Sequence, residues 1–177
     1  MAAYRLDRLL GLGMVPVTVI RDYNAQRGAF SWGLDNRLMT ERERNETGQD
    51  APDAEAWNRQ VHVVRIFDQL IFNFDRSPGN LLIDKSWKLW MTDHTHAFKV
   101  FKDLRDEEQL PQNYPRRLLA ALRRLDEPTL KTRAGGLLSM GQIEGLLGRR
   151  DRIVAHYDRL IAAHGEAAVL YDLPVRR

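Results

Sequence analysis

An α+β fold dominated by helices follows from three features of the sequence. Apolar residues recur at helical spacing over residues 54–73 and again through most of the last third of the chain. Two short apolar runs, Leu81-Leu82-Ile83 and Lys88-Leu89-Trp90-Met91-Thr92, lie close enough to pair as a hairpin. Nearer the N-terminus, Val15-Pro16-Val17-Thr18-Val19-Ile20-Arg21 is β-branched, with Pro16 at the start, where a strand tolerates proline. At 177 residues and 44% hydrophobic content, the chain can bury a real core as one domain.

Taken in order, Ala3, Leu6, Leu9 and Leu10 form a helical stripe over residues 2–10, with Gly11-Leu12-Gly13 as its stop. The strand over 15–21 is expected to turn through Asp22–Gly28 and return as Ala29-Phe30-Ser31-Trp32. Residues 37–52 are polar and charged without an apolar period, which reads as a loop or short insert. Trp57, Val61, Val64, Phe67 and Ile71 give the helix over 54–73 a wide apolar face, suited to burial on several sides.

Further on, Ala97-Phe98-Lys99-Val100-Phe101 is expected to return to the core. Tyr114–Leu125 carries Leu118, Leu119 and Leu122 at helical spacing, with Pro115 in its first turn. Asp126-Glu127-Pro128 opens another short helix, which Gly135-Gly136 ends. Ser139 caps a last helix that runs, with a bend expected at Gly148, to Gly165.

Composition narrows the function classes. There are no cysteines, which rules out a disulfide framework and a cysteine-based zinc site, and weakly favours a reducing compartment. The N-terminus lacks a signal-peptide pattern, no apolar run reaches membrane-spanning length, and a cytoplasmic location is expected. The formal charge of +3 and pI near 9.4 invite a nucleic-acid reading. Basic residues nonetheless alternate with acidic ones, as in Arg149-Arg150-Asp151-Arg152, without interleaved aromatics, so nucleic acid is not the expected partner.

The chemistry concentrates between Phe74 and Asp93. Asp75-Arg76-Ser77-Pro78-Gly79-Asn80 precedes the two apolar runs, and a second acid, Asp93, stands where the later run stops. Transfer of a γ-phosphoryl group requires a carboxylate to accept the proton of the attacking hydroxyl and oxygen ligands for magnesium. Asp75, Asn80 and Asp93 supply that set. Taken singly, each is a common turn former; the order of helix, Asp-to-Asn interval, two strands and terminal Asp makes the pattern more specific. Arg76 is a candidate to pair with a nearby carboxylate. His94 and His96 lack the further ligands a zinc site needs, and His94 is expected to hydrogen-bond beside Asp93.

The run D-R-x-x-G-N-L-L-I-D, followed by a strand and D-H, resembles the atypical branch of the protein-kinase-like superfamily, which includes phosphatidylinositol 3- and 4-kinases and HipA-like bacterial kinases. Ser77 stands where the lipid kinases usually have His, and Asp93-His94-Thr95 replaces D-F-G, so the resemblance does not carry over a lipid acceptor. It implies Asp75 as catalytic base, Asn80 and Asp93 as magnesium ligands, ATP as the nucleotide and a hydroxyl-bearing acceptor of unspecified class. Residues 1–36 would then be the remnant of an N-lobe, with Trp32 and Leu34 in the adenine-contacting hinge unless the aromatics there are simply core; residues 37–177 would be the C-lobe. The glycine-rich loop and phosphate-binding lysine have no counterpart, since the first lysine is Lys85. The chain alone is therefore expected to have little activity, and a catalytically inactive, pseudokinase-like binding or scaffold module is the alternative.

Overall fold

Helix α3 (Ala54–Ile71) is the centre of the structure, a computed structural model that describes residues 1–172. Asp53 starts α3 by accepting a hydrogen bond from the Ala56 N–H at 2.9 Å, which satisfies one of the free donors of the first turn. The helix buries Trp57, Val63, Val64, Ile66, Phe67, Leu70 and Ile71, so its apolar face is wide, as its spacing predicts. It stops two residues before the expected Asn73. Phe72 takes a left-handed backbone (φ 53°), and the Asn73 N–H and side-chain amide both fold back onto Asp68.

The strands form three small sheets. In the first, β1 (Thr18–Tyr23) pairs antiparallel with β2 (Gln26–Ser31). The expected turn over Asp22–Gly28 shrinks to Asn24-Ala25, both with positive φ, the two-residue geometry whose twist matches a hairpin. Polar residues at the strand ends face water, so their polarity did not mark the turn. Val17, Val19, Tyr23, Phe30 and Trp32 are all exposed.

The expected loop over 37–52 is instead strand β3 (Arg37–Thr40) followed by helix α2 (Glu41–Thr47). Helix α2 buries no residue, which is why no apolar period announces it. Its ends hold it: Thr40 and Glu43 form a reciprocal capping box, Glu41 pairs with Arg44, and Gly48 closes it in a left-handed conformation. Strand β3 pairs with β4 (Leu81–Asp84), which pairs with β5 (Leu89–Met91), so the expected hairpin forms two strands of a three-stranded antiparallel sheet with β4 in the middle.

The helical part is formed by α4 (Arg116–Arg124), α5 (Glu127–Ala134), α6 (Met140–His164) and the short α7 (Glu166–Val169). Asp126 and Ser139 cap α5 and α6. Helix α6 runs 25 residues without a break at Gly148. Gly145 and Gly148 instead make room for the backbone of residues 99–102, since a Cβ on Gly145 would stand 2.7 Å from the Val100 carbonyl oxygen. Of the segment expected to re-enter the core, Phe98 does so, while Val100 and Phe101 remain exposed. Tyr114 lies outside α4 because β6 (Tyr114–Pro115) pairs in parallel with β7 (Leu170–Tyr171). Helix α1 (Ala2–Leu9) packs on α5 and buries Ala3 and Leu6. Among the described residues, no helix is long and apolar enough to cross a membrane.

Candidate active site

The pairing of β4 with β5 determines which side chains meet. A 3-10 turn, Pro78–Asn80, leads directly into β4, with the Asn80 N–H bonded to the Ser77 carbonyl at 3.0 Å. One residue past β5, the Thr92 N–H and hydroxyl both donate to the Asn80 carbonyl, at 2.9 and 3.0 Å. This double contact brings Asp93 back beside Asn80: their side chains approach to 3.5 Å, Nδ2 to Oδ2. Turning the Asn80 amide about its last torsion replaces the donor by its carbonyl oxygen, which then faces the same position as the Asp93 carboxylate.

The Asp93 side chain is held in place. Its backbone is left-handed (φ 49°), an uncommon conformation for a residue with a side chain. Oδ1 accepts from the Thr95 hydroxyl at 2.7 Å and the Thr95 N–H at 3.2 Å, leaving Oδ2 for Asn80 or a cation. Those Thr95 bonds lower the Asp93 pKa from the usual carboxylate range, with smaller contributions from His94 and His96. Asp93 is therefore anionic at neutral pH. One carboxylate and one amide oxygen suit magnesium, which commonly keeps substrate oxygens and water as its remaining ligands. Among the described residues no three His, Cys, Asp or Glu side chains gather into a metal cluster, so any metal here would rest on this mixed pair.

Asp75 does not join the pair: among the described residues its side-chain contact is with His96. Its Oδ2 stands 3.8 Å from His96 Nε2, and the His96 ring packs on Phe74 with centroids 5.4 Å apart. Both Asp75 and His96 are more than half exposed, which leaves the carboxylate open to an incoming hydroxyl. His94 departs from its expected hydrogen-bonding role. It packs edge-to-face on Phe67 at 6.0 Å, and its Nε2 is buried without a partner among the described residues. Burial, reinforced by Arg76, lowers its pKa to about 3, so the ring is neutral at physiological pH.

Arg76 pairs with a carboxylate as its position suggests, and the carboxylate is Asp68 on α3. Two nitrogens of the guanidinium engage both Asp68 oxygens, at 2.8 and 2.9 Å, while Nη1 donates to the Thr92 carbonyl at 2.6 Å. A single side chain thus joins the central helix, the loop after Asp75 and the residue before Asp93. Gln60, also on α3, holds the far end of the hairpin: its amide donates to the Trp87 carbonyl and accepts from the Leu89 N–H, each at 2.9 Å. Asp84, the second acid of the motif, is structural, accepting from Ser86, Lys88 and the Trp90 indole.

Beside Asp93 opens a cleft of about 330 Å³, between the β1–β2 hairpin and the end of β5. Thr18, Ala29 and Ser31 line one side and Met91, Asp93 and Phe98 the other, with the start of α1 closing the end. Trp32, 71% exposed, and Leu34 are not among its lining residues, and neither are Asp75 and Asn80. The neighbouring Ser31 and Ala29 take the cleft-facing positions in the strand that leads to Trp32.

Asp7 on α1 gave no functional signal in the sequence. Fully buried, it accepts from the Met14 and Val15 N–H groups at 2.8 and 3.1 Å and pairs with Arg8. Met14 in turn accepts from the Met91 N–H at 2.7 Å, so the clamp fixes the cleft wall at Val15 against β5. An acid inside an otherwise apolar helical stripe was the available sign.

No family model matches this chain, and no curated protein does. Among solved structures it is similar to hydra Fam20, determined with a sugar, at a TM-score of 0.70 and 14% identity, over 97% of this chain and 73% of that one. The identity is low, so the likeness carries the fold, and with the mixed helices and small sheets described above it gives the chain an α+β, protein-kinase-like fold, mainly helical as in a C-lobe.

Proposed function

We propose that this chain is an ATP- and magnesium-dependent phosphotransferase domain of the atypical kinase branch, acting on a hydroxyl-bearing acceptor. The observation that carries the reading is the 3.5 Å approach of Asn80 and Asp93, enforced by the Thr92 bonds to Asn80. In this reading the two oxygen donors hold magnesium, which supplies charge neutralisation on the transferred phosphoryl group. Asp75 accepts the proton of the acceptor hydroxyl, with His96 beside it. Arg76 keeps Asp75 and Asp93 in fixed relation through Asp68 and Thr92. The cleft next to Asp93 is the place for the nucleotide, and Trp32 and Leu34 remain candidates for its outer edge. A second reading, a kinase-like binding module without catalysis, draws on the separation of Asp75 and Asn80 from that cleft's lining.

Calorimetry with ATP, with and without magnesium, tests the site. Asp93→Asn should abolish the magnesium dependence of nucleotide binding, whereas Asp75→Asn should leave binding unchanged and lower any phosphoryl transfer or ATP hydrolysis by at least about a hundredfold. Binding that depends on magnesium equally in wild type and Asp93→Asn refutes the metal assignment. Because the chain alone is expected to have little activity, the two readings are separated on a chain supplied with a glycine-rich loop and phosphate-binding lysine: magnesium-dependent binding without turnover there favours the second reading.

A further inference from the structure

A second cleft of about 280 Å³, sharing no lining residue with the cleft beside Asp93, is lined by Arg65, Asp68, Asn73, Arg76, Arg105 and Gln109 among others. Its charges are unbalanced. Asp68 is fully used by Arg76 and the Asn73 amide, so the carboxylate in the lining is already neutralised. Arg65 and Arg105 are both exposed, and among the described residues neither guanidinium has a hydrogen-bonding, ionic or aromatic partner. The backbone carrying Arg105 is nevertheless fixed, because the N–H groups of Arg105 and Asp106 donate to Gln69 Oε1 at 3.1 and 3.2 Å.

A third group defines the ligand further. Asn73 is 3% exposed, and while its Nδ2 donates to Asp68, its Oδ1 has no donor among the described residues. A buried acceptor left unsatisfied is costly, and it calls for an O–H or N–H group. The lining thus holds two cationic forks and one buried, unsatisfied acceptor. A fully ionised oxyanion satisfies the arginines only. A singly protonated phosphate or phosphate monoester satisfies all three, with its anionic oxygens accepting from Arg65 and Arg105 and its P–O–H donating to Asn73 Oδ1.

We propose that this cleft is a binding site for a phosphate monoester group, distinct from the nucleotide cleft. The ligand would lie against Asp68 and Asn73, the residues that fix Arg76 and the entrance to the catalytic loop, so its occupancy would stiffen the loop. The proposal does not depend on the phosphotransferase reading, because its test measures binding alone.

The test titrates the full chain with inorganic phosphate and, separately, with sulfate at matched ionic strength near pH 6, followed by backbone amide shifts. At about that pH inorganic phosphate is largely the dihydrogen monoanion, which keeps P–O–H donors, whereas sulfate carries no proton. Phosphate should shift the amides of Asn73, Arg105 and Asp106 saturably and bind at least about fivefold tighter than sulfate. Arg65→Gln and Arg105→Gln should each weaken phosphate about tenfold, the loss expected for one charge-assisted contact. Arg27→Gln, at the tip of the β1–β2 hairpin, should change nothing. Equal affinity for the two anions overturns the assignment of Asn73 and of a protonated ligand. Phosphate shifts that survive both arginine substitutions, or that arise elsewhere, overturn the site.

Discussion

Removing Arg76 should show how far one side chain holds the candidate site together. Arg76 and Asp68 each retain only 12% side-chain exposure, so the pair is largely withdrawn from water. Arg76→Ala deletes two charge-assisted bonds to Asp68 and one to the Thr92 carbonyl, and leaves the Asp68 carboxylate with the Asn73 amide as its remaining side-chain donor. Breaking such a pair from one side costs about 3 kcal/mol, chiefly because the surviving charge stays desolvated. For a chain of this size that corresponds to a fall in Tm of about 6–12 °C. Asp68→Ala should cost a similar amount, stranding the guanidinium instead. The double substitution removes both charges, so its cost should fall short of the sum by about 2 kcal/mol. Urea denaturation of the wild type, both single variants and the double variant measures this coupling directly. A coupling below about 0.5 kcal/mol, the level of an exposed pair, would refute the argument that Arg76 fastens the loop through Asp68.

Two further predictions concern the surrounding structure. Gly145→Ala places a methyl 2.7–2.8 Å from the carbonyl oxygens of Val100 and Lys99, which are backbone and can yield only by lifting the segment off α6; it should cost about 1–3 kcal/mol by denaturant titration, whereas Gly136→Ala, with free space but φ +75°, should cost about 1 kcal/mol. His94 supplies an acid-dependent term: its folded pKa of about 3 lies below its unfolded value, so as pH falls from about 6.5 the unfolded chain takes up a proton that the native ring refuses, and stability should drop at up to about 1.4 kcal/mol per pH unit. His94→Leu should flatten the stability curve between pH 6.5 and 4.5, and an unchanged slope there would count against a buried neutral ring.

What the sequence revealed depended on where each element finds its stability. Helices α3, α4 and α6 bury wide stripes and were legible from spacing alone. Helix α2 buries nothing, so an apolar period could not find it, although the Thr40-x-x-Glu43 capping box was readable. Strand β3 is a short edge strand whose partner lies more than 40 residues on, and local pattern does not encode such pairing. The Asn80–Asp93 approach could be anticipated because a hairpin returns its end to its beginning. The clamps at Asp7, Gln60 and Gln69 were harder to see, since their partners are backbone groups distant in sequence or beyond a glycine turn. Their visible trace was a polar residue inside an apolar stripe. His94 went the other way: a histidine beside a candidate metal ligand suggested polar duty, and packing against Phe67 decided otherwise.

The parallel pairing of β6 with β7 has a kinetic consequence. Tyr114 meets Leu170 across the helices α4, α5, α6 and α7, and the closure is reinforced where Asn113 donates to the Ala168 carbonyl at 3.0 Å and Arg116 bonds Glu166 at 2.8 Å. Tyr114 and Tyr157 pack together within the ring so formed, 3.8 Å between centroids with their planes tilted by 49°. Loop-closure entropy opposes such a contact until the intervening helices have already shortened the path. The clasp is therefore expected to shut late in folding, and hydrogen exchange should find the amides of α4 and the middle of α6 opening together; widely different rates for the two would count against it.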